Sequence, residues 1–194
     1  MQLARGVWKL AVWPFLAAVG LLAISGPWAV VAALLGVGVL WFHRDPERNP
    51  PDHGVLSPAD GTVSVLRREG DRVRVGVFMN VTDVHVNRSP VAGTVRSVEH
   101  VPGAHRPAFT KDSDRNERVH VAFDDLEVTL IAGWFARRIH PYVEEGDVLG
   151  RGEKIGHVSF GSRADVLLPP GVAIDDVRVE KGDTVRAGET VMAD

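Results

Sequence analysis

From Leu10 to Phe42 the chain runs 33 residues without a charged side chain, and Ser25 is the one plainly polar residue in that run. One membrane-spanning helix needs roughly 20 residues, so the stretch is long for one span and short for two. Ser25-Gly26-Pro27 stands in its middle and should break any helix. Two helical arms, near 8–24 and 28–42, are therefore expected. At ~1.5 Å per residue the second arm reaches only about 22 Å, which suits a hairpin dipping into one leaflet as well as one that crosses. Arg5 and Lys9 precede the run, Arg44 and Arg48 follow it, and the turn has no charge. By the positive-inside rule both ends then face the cytoplasm. Four of the five tryptophans (Trp8, Trp13, Trp28 and Trp41) lie in or beside the arms, three of them near arm ends, where interfacial aromatics belong. The run exceeds the apolar core of a secretory signal and passes into a charged motif with no clear cleavage site. The expectation is a membrane-associated helical hairpin over residues 1–42, held at the cytoplasmic face of the cell membrane.

Charge narrows the function of the rest of the chain. Of 22 basic and 25 acidic residues, the first 49 positions hold four and two, so the remainder carries a net −5. A nucleic-acid binder would normally show a basic face, and none is expected here. Most of the basic residues are arginines, which suit phosphate and carboxylate recognition. There is no cysteine, which excludes disulfides, thiolate catalysis and thiolate-bound metals.

After the charged collar FHRDPER (42–48) and the stiff Asn49-Pro50-Pro51 link, short alternating patterns succeed one another. They cover Val55–Leu56, Thr62–Leu66, Arg72–Phe78, His85–Asn87, Thr94–Val98, Val119–Phe123 and Glu127–Ala132. Turn signals such as Asp60-Gly61, Gly70-Asp71 and Pro102-Gly103 separate them. Dense short strands without helical periodicity predict a mainly β barrel or sandwich over residues 43–194. An internal echo supports it: VEEGDVLGRGEKI (143–155) returns as VEKGDTVRAGETV (179–191), 36 residues on. That pattern resembles the duplicated hairpins of lipoyl- and biotinyl-type folds. The polar, proline-broken stretch from Pro102 to Arg118 reads as a mobile loop or a lid over a site.

Between the two copies lies GHVSFGSRADVLLP (156–169), two β-segments interrupted at Gly161-Ser162. A surface turn with an ordinary serine is the commoner meaning of such a pattern. The pair also permits a reaction. A serine hydroxyl can attack the carbonyl of the preceding residue, turning the amide into an ester. Elimination of that ester and hydrolysis of the dehydroalanine then leave a pyruvoyl group. Glycine at position 161 allows the backbone conformation that such an attack needs.

Other motifs help to choose. Position 160 is Phe, so the hydrolase elbow G-x-S-x-G fails. The eight histidines show no metal-ligand spacing, and no metal is expected. Asp60, in SPADGTV (57–63), stands at a turn opening a strand, and His85, in NVTDVHVNRSP (80–90), stands in a β-pattern beside polar neighbours. An ordinary Asp-Gly turn and a strand histidine satisfied by backbone are the commoner readings of each alone.

Taken in order, FHRDPER, SPADGTV, MNVTDVHVNRSPVAGTV, the RNER stretch, IAGWFARRI and IGHVSFGSRADVLLP resemble the motifs of phosphatidylserine decarboxylase proenzymes. The resemblance is to the short prokaryotic form, which includes archaetidylserine decarboxylases, and covers residues 41–170. It implies autocatalytic cleavage between Gly161 and Ser162 into a β chain (1–161) and an α chain (162–194) that begins with a pyruvoyl group made from Ser162. It implies decarboxylation of phosphatidylserine to phosphatidylethanolamine with release of carbon dioxide, or the same reaction on archaetidylserine. Such a ketone captures a primary amine and accepts the electrons that decarboxylation releases.

By the same resemblance Asp60 and His85 act with Ser162. The family's longer members carry a second histidine three positions on, where this chain has Arg88, so the histidine role rests on His85. Arg163, Arg137 and Arg138 are candidates for holding the lipid phosphate. The implied partners are a membrane phospholipid and the chain's own two fragments as a heterodimer, alone or in a higher oligomer. The competing reading is a membrane-anchored, non-catalytic lipoyl-like adaptor. It would need a lysine at an exposed hairpin tip, and Lys154 and Lys181 flank strands of the repeat instead.

Overall fold

The structure, a computed structural model, describes residues 2–103, 115–133, 139–158 and 161–194. Most of the expected lid, together with Arg137 and Arg138, lies outside the described residues. The chain forms two units, Met1–Glu47 and Arg48–Asp194.

In the first unit β1 (Gln2–Leu3) pairs with β2 (Arg44–Asp45), bringing together the two ends of a helical segment. Its helices are α1 (Trp8–Leu21) and α2 (Gly26–Phe42), and the Phe15 ring of the first lies against Gly36 of the second. Ser25 interrupts the run as expected, but as the extended N-cap of α2. Pro27 thus opens the second helix rather than ending the first, because a proline in the first turn gives up no helical hydrogen bond. At ~1.5 Å per residue the helices are about 21 and 26 Å long. No helix among the described residues is long and apolar enough to cross a membrane. Trp8, Trp13, Leu16, Leu22, Ile24, Trp28 and Leu34 are each more than half exposed.

The second unit is mainly β, as expected. Its strands are β3 (Val55–Leu56), β4 (Gly61–Glu69), β5 (Arg72–Phe78), β6 (Val86–Arg88), β7 (Gly93–Thr94), β8 (Ser97–Val101) and β9 (Arg118–Ala122). They continue with β10 (Glu127–Ile131), β11 (Ile139–Pro141), β12 (Val148–Leu149), β13 (Lys154–Val158), β14 (Arg163–Leu167), β15 (Thr184–Val185) and β16 (Val191–Ala193). An antiparallel sheet runs in the order β15-β4-β5-β14-β10-β9-β8, and a smaller one in the order β11-β13-β6.

The expected barrel does not close: among the described residues the main sheet is open, with β8 and β15 at its edges. One reason is visible at Val95, in the middle of the single strand expected over Thr94–Val98. Its N–H donates to Asp147 O at 2.8 Å and its carbonyl accepts from Gly146 N at 2.9 Å, so the chain leaves β7 there and starts β8 elsewhere.

Alternation sets what each face of the main sheet buries. Val73, Val75 and Val77 of β5, Val128 and Leu130 of β10, and Ala164 and Val166 of β14 point into one apolar core, which Ile139, Ile155 and Val158 of the smaller sheet join. Burying each valine or leucine side chain contributes about 1.5–3 kcal/mol. The opposite face is polar yet also covered: Thr129, Arg163 and Asp165 are all buried. Gly76 is there because the Asp165 carboxylate lies over it, and a Cβ would come within 2.5 Å of Oδ1.

The echo in the sequence is a duplication of structure, and it is wider than the repeat shows. SPADGTV (57–63) and SPVAGTV (89–95) each cradle one copy of the repeat. Gly188 N donates to Ser57 O at 2.8 Å, and Gly152 N to Ser89 O at 2.9 Å. Gly182 N donates to Val63 O, and Gly146 N to Val95 O. β15 pairs with β4 as β12 pairs with β7, and β16 pairs with β3 as β13 pairs with β6, with a register shift in both of the latter. Each half thus serves as an internal control for the other.

Candidate active site

β13 belongs to the smaller sheet and β14 to the centre of the larger one, so the chain between them must change sheets. Gly161 makes the last step of that passage with φ +65°, in the left-handed region that glycine enters without strain. Ser162 follows it and is fully buried. Its carbonyl accepts from Met79 N at 2.9 Å, and β14 then begins, hydrogen-bonded to β5 on one side and β10 on the other. One residue past the Gly-Ser bond, the backbone is therefore held from both sides. The Ser162 hydroxyl points to the thioether of Met79, with Oγ 3.9 Å from Sδ.

The segment 79–85 spans the joint. At one end Met79 N holds Ser162; at the other, His85 O accepts from Val158 N at 3.3 Å, at the end of β13. A turn closes the segment locally, with Asn80 N donating to Asp83 Oδ2 at 2.7 Å and Asp83 N to Asn80 O at 3.0 Å. The Asp83 carbonyl then lies 3.0 Å from Nδ1 of the buried His85. A carbonyl only accepts, so this contact puts the proton of the neutral ring on Nδ1 and leaves the lone pair on Nε2. In a neutral ring the nitrogen able to take a proton is therefore Nε2.

Asp60 is held by Arg48 and by the backbone of Ala187. Its two oxygens receive Arg48 Nη2 at 2.9 and 2.8 Å, and Oδ1 also accepts from Ala187 N at 2.8 Å. Arg48 donates in addition to Glu189 at 3.2 Å. Among the described residues the hydrogen bonds of Asp60 go to Arg48 and Ala187, and none of them reaches His85. Asp60 and Arg48 instead bind the C-terminal hairpin of the second repeat. With the Arg48 side chain only 7% exposed, loss of the carboxylate charge leaves a buried cation with Glu189 alone. Breaking such a pair costs about 3–5 kcal/mol, and about 3 where a second partner remains. Asp60→Asn is therefore expected to lower the melting temperature by roughly 6–10 °C, measured by thermal denaturation. An unchanged melt would show that the pair contributes nothing to folding.

Arg163, expected at a phosphate, is buried and bound side-on by Asp165, with Nε to Oδ1 at 2.7 Å and Nη2 to Oδ2 at 3.0 Å. Arg74 lies beside that carboxylate at 3.8 Å and also grips Glu69, which its hydrogen bonds pull down to about 2. On the same face the His120 ring meets Glu127 at 2.9 Å and holds that carboxyl below its usual range. Buried charges here are paired, as burial requires.

Two residues around Ser162 were not singled out from sequence, although both lie in the MNVTDVHVNRSP motif. Met79 touches Ser162 through backbone and side chain, and Asn87, fully buried in β6, places its Nδ2 3.6 Å from the same Met79 Sδ. A polar amide among the buried residues of a short strand was the available signal. Arg48 too was legible only as part of a charged collar.

A family model described as "Phosphatidylserine decarboxylase" matches residues 36–193. The chain is 62% identical over 195 residues to a Halobacterium salinarum protein named "Putative archaetidylserine decarboxylase proenzyme", covering 99% of this chain and 100% of that one. It is 52% identical over 174 residues to the "Phosphatidylserine decarboxylase proenzyme" of Streptomyces griseus, covering 86% and 80% respectively. It is 44% identical over 187 residues to a Methanococcoides burtonii protein named like the first, covering 92% and 86%.

Proposed function

Since the chain belongs to the phosphatidylserine decarboxylase family, we propose that it is a proenzyme that cuts itself between Gly161 and Ser162 and then removes carbon dioxide from the serine headgroup of a membrane phospholipid. The observation that carries this is the bracing of one peptide bond. A left-handed glycine, a buried serine and segment 79–85, bonded to Ser162 on one side and Val158 on the other, surround the bond that must break.

In the cleavage the Ser162 oxygen bonds to the Gly161 carbonyl carbon, the Gly161–Ser162 C–N bond breaks, and the hydroxyl proton passes to the serine nitrogen. Nε2 of His85 is the proposed proton carrier. Loss of the Ser162 Cα proton then breaks its Cβ–O bond and expels the Gly161 carboxylate, and water replaces the nitrogen of the dehydroalanine, released as ammonia, to leave a pyruvoyl group. The fit favours this, because residue 162 heads a central strand that keeps the new chain end in place. That group supplies a ketone able to bind the headgroup amine and draw electrons from its α carbon. His85 returns a proton to that carbon. Asp60 supports the reaction from a distance by fixing the C-terminal hairpin through Arg48 and Ala187.

The α chain supplies β14 at the centre of the main sheet, β15 at its edge and β16 beside β3. The two fragments are therefore proposed to remain one heterodimer after cleavage. The paired halves of the second unit support a lipoyl- or biotinyl-like origin for its hairpins. Denaturing mass spectrometry tests the proposal and separates it from a non-catalytic adaptor: two chains, the smaller one blocked at its amino end and reactive toward borohydride. An intact chain inert to borohydride would overturn it. Paired assays on phosphatidylserine and archaetidylserine vesicles then assign the tails, for which the Halobacterium relative favours the ether lipid.

The exposed tryptophans and leucines of the first unit support its lying in the cytoplasmic leaflet of the cell membrane. Tethering there brings a headgroup enzyme to its substrate. Deleting residues 1–40 is expected to leave self-cleavage intact and to lower turnover on vesicles roughly ten-fold or more, since local concentration is lost. Unchanged vesicle turnover would remove the tether from the mechanism.

A further inference from the structure

We propose that Asn87 is a positioning residue for the self-cleavage, its Oδ1 accepting the hydrogen bond of the Ser162 hydroxyl and so aiming that oxygen at the Gly161 carbonyl carbon. This role rests on the cleavage proposed above and concerns how its nucleophile is held.

Three observations carry it. The first is a buried acceptor in want of a donor. Asn87 is fully buried, and Oδ1 has no hydrogen-bond partner among the described residues. The amide cannot simply be turned around: Nδ2 faces Pro58 O at 3.4 Å, and exchanging the two ends would set one carbonyl oxygen against another. Buried polar atoms are nearly always paired, and one that is not requires an explanation.

The second is a donor that shares the Met79 sulphur as a neighbour with the Asn87 amide. The Ser162 hydroxyl is also fully buried, and its side-chain partner is a thioether, a weak acceptor, at 3.9 Å. The Asn87 amide touches that same sulphur at 3.6 Å. A rotation of the Ser162 side chain past Met79, with Nδ2 of Asn87 kept on Pro58 O, would exchange a poor acceptor for a good one. An amide oxygen accepts but does not take the proton, so Asn87 directs the hydroxyl while a base removes its hydrogen.

The third is the duplication. Aligning Ser57 with Ser89 sets Val55 of β3 opposite Asn87 of β6, and Val55 is buried in the apolar core. The fold therefore accepts a valine at this position. The half that adjoins Ser162 has an amide where the other has a hydrocarbon, so the polar group answers to the site and not to the architecture.

The control also supplies the variant. Full-length wild type, Asn87→Val and Asn87→Asp are made by in vitro translation, and conversion to two chains is followed with and without hydroxylamine, which splits an ester but not an amide. Asn87→Val is expected to cleave roughly ten-fold or more slowly, the weight of one hydrogen bond in a barrier, and to gain nothing from hydroxylamine because its slow step precedes the ester. Asn87→Asp, which keeps an acceptor, is expected to recover most of the rate. Valine cleaving at the wild-type rate, valine rescued by hydroxylamine, or aspartate as slow as valine would each overturn the proposal. Wild type remaining a single chain would instead remove the cleavage on which it rests.

Discussion

Ser162→Ala is expected to stay at full length indefinitely and to release no carbon dioxide, a loss of at least about 10⁴-fold that is limited by the assay. The reason is chemical before it is structural. Alanine has no oxygen with which to attack the Gly161 carbonyl and no leaving group from which a ketone could form. Folding should survive, because the substitution removes a single buried oxygen whose side-chain contact is a thioether at 3.9 Å. The strand after it keeps both its neighbours. The wild-type protein should behave in the opposite way. Its two fragments should copurify under native conditions and part only in denaturant, because β14 is the fourth of seven strands and cannot leave without opening the sheet. Size exclusion followed by mass spectrometry reads both results. A second chain from Ser162→Ala would assign the cut to another protease.

His85→Ala should produce the next largest loss, roughly 10²–10⁴-fold in cleavage, the usual weight of a general base, and a further loss in turnover for whatever two-chain protein forms. Tautomer and placement are the reasons. Asp83 O holds Nδ1–H at 3.0 Å, and His85 O ties the residue to Val158 at the end of β13. Substitution removes the ring but leaves the backbone bond to Val158. His85→Asn is the sharper control, since its amide N–H can take over the bond to Asp83 O yet cannot carry a proton. Cleavage by His85→Asn at the wild-type rate would reduce the ring to a structural part. Single-turnover gels over time separate the cleavage effect from the later loss in carbon dioxide release.

Much of the fold was legible along the chain. The β character, most strand positions and the break at Ser25 followed from alternation, turn residues and apolar run length, which are local properties. The repeat at 143–155 and 179–191 was visible because its turns need Gly and Asp at fixed offsets. Its cradles, SPADGTV and SPVAGTV, were not, because their likeness has meaning only once each is seen bonded to a different copy. The boundary at Val95 was hidden for a related reason: an apolar stretch does not reveal that its middle residue gives both backbone groups to a distant hairpin.

The division at the site is sharper. The chemistry open to Gly161-Ser162 could be read from residue types, since bond-making depends on which atoms a side chain owns. What Asp60 touches could not be read, because a carboxylate goes to the strongest buried donor within reach, and Arg48 and Ala187 come within reach only when the ends of the second unit meet. The burial of Arg163 against Asp165 and the meeting of Met79, Asn87 and Ser162 are of the same kind. Covalent capability is written in the order of the residues; proximity, desolvation and choice of partner belong to the folded chain, because they depend on distances that no local pattern encodes.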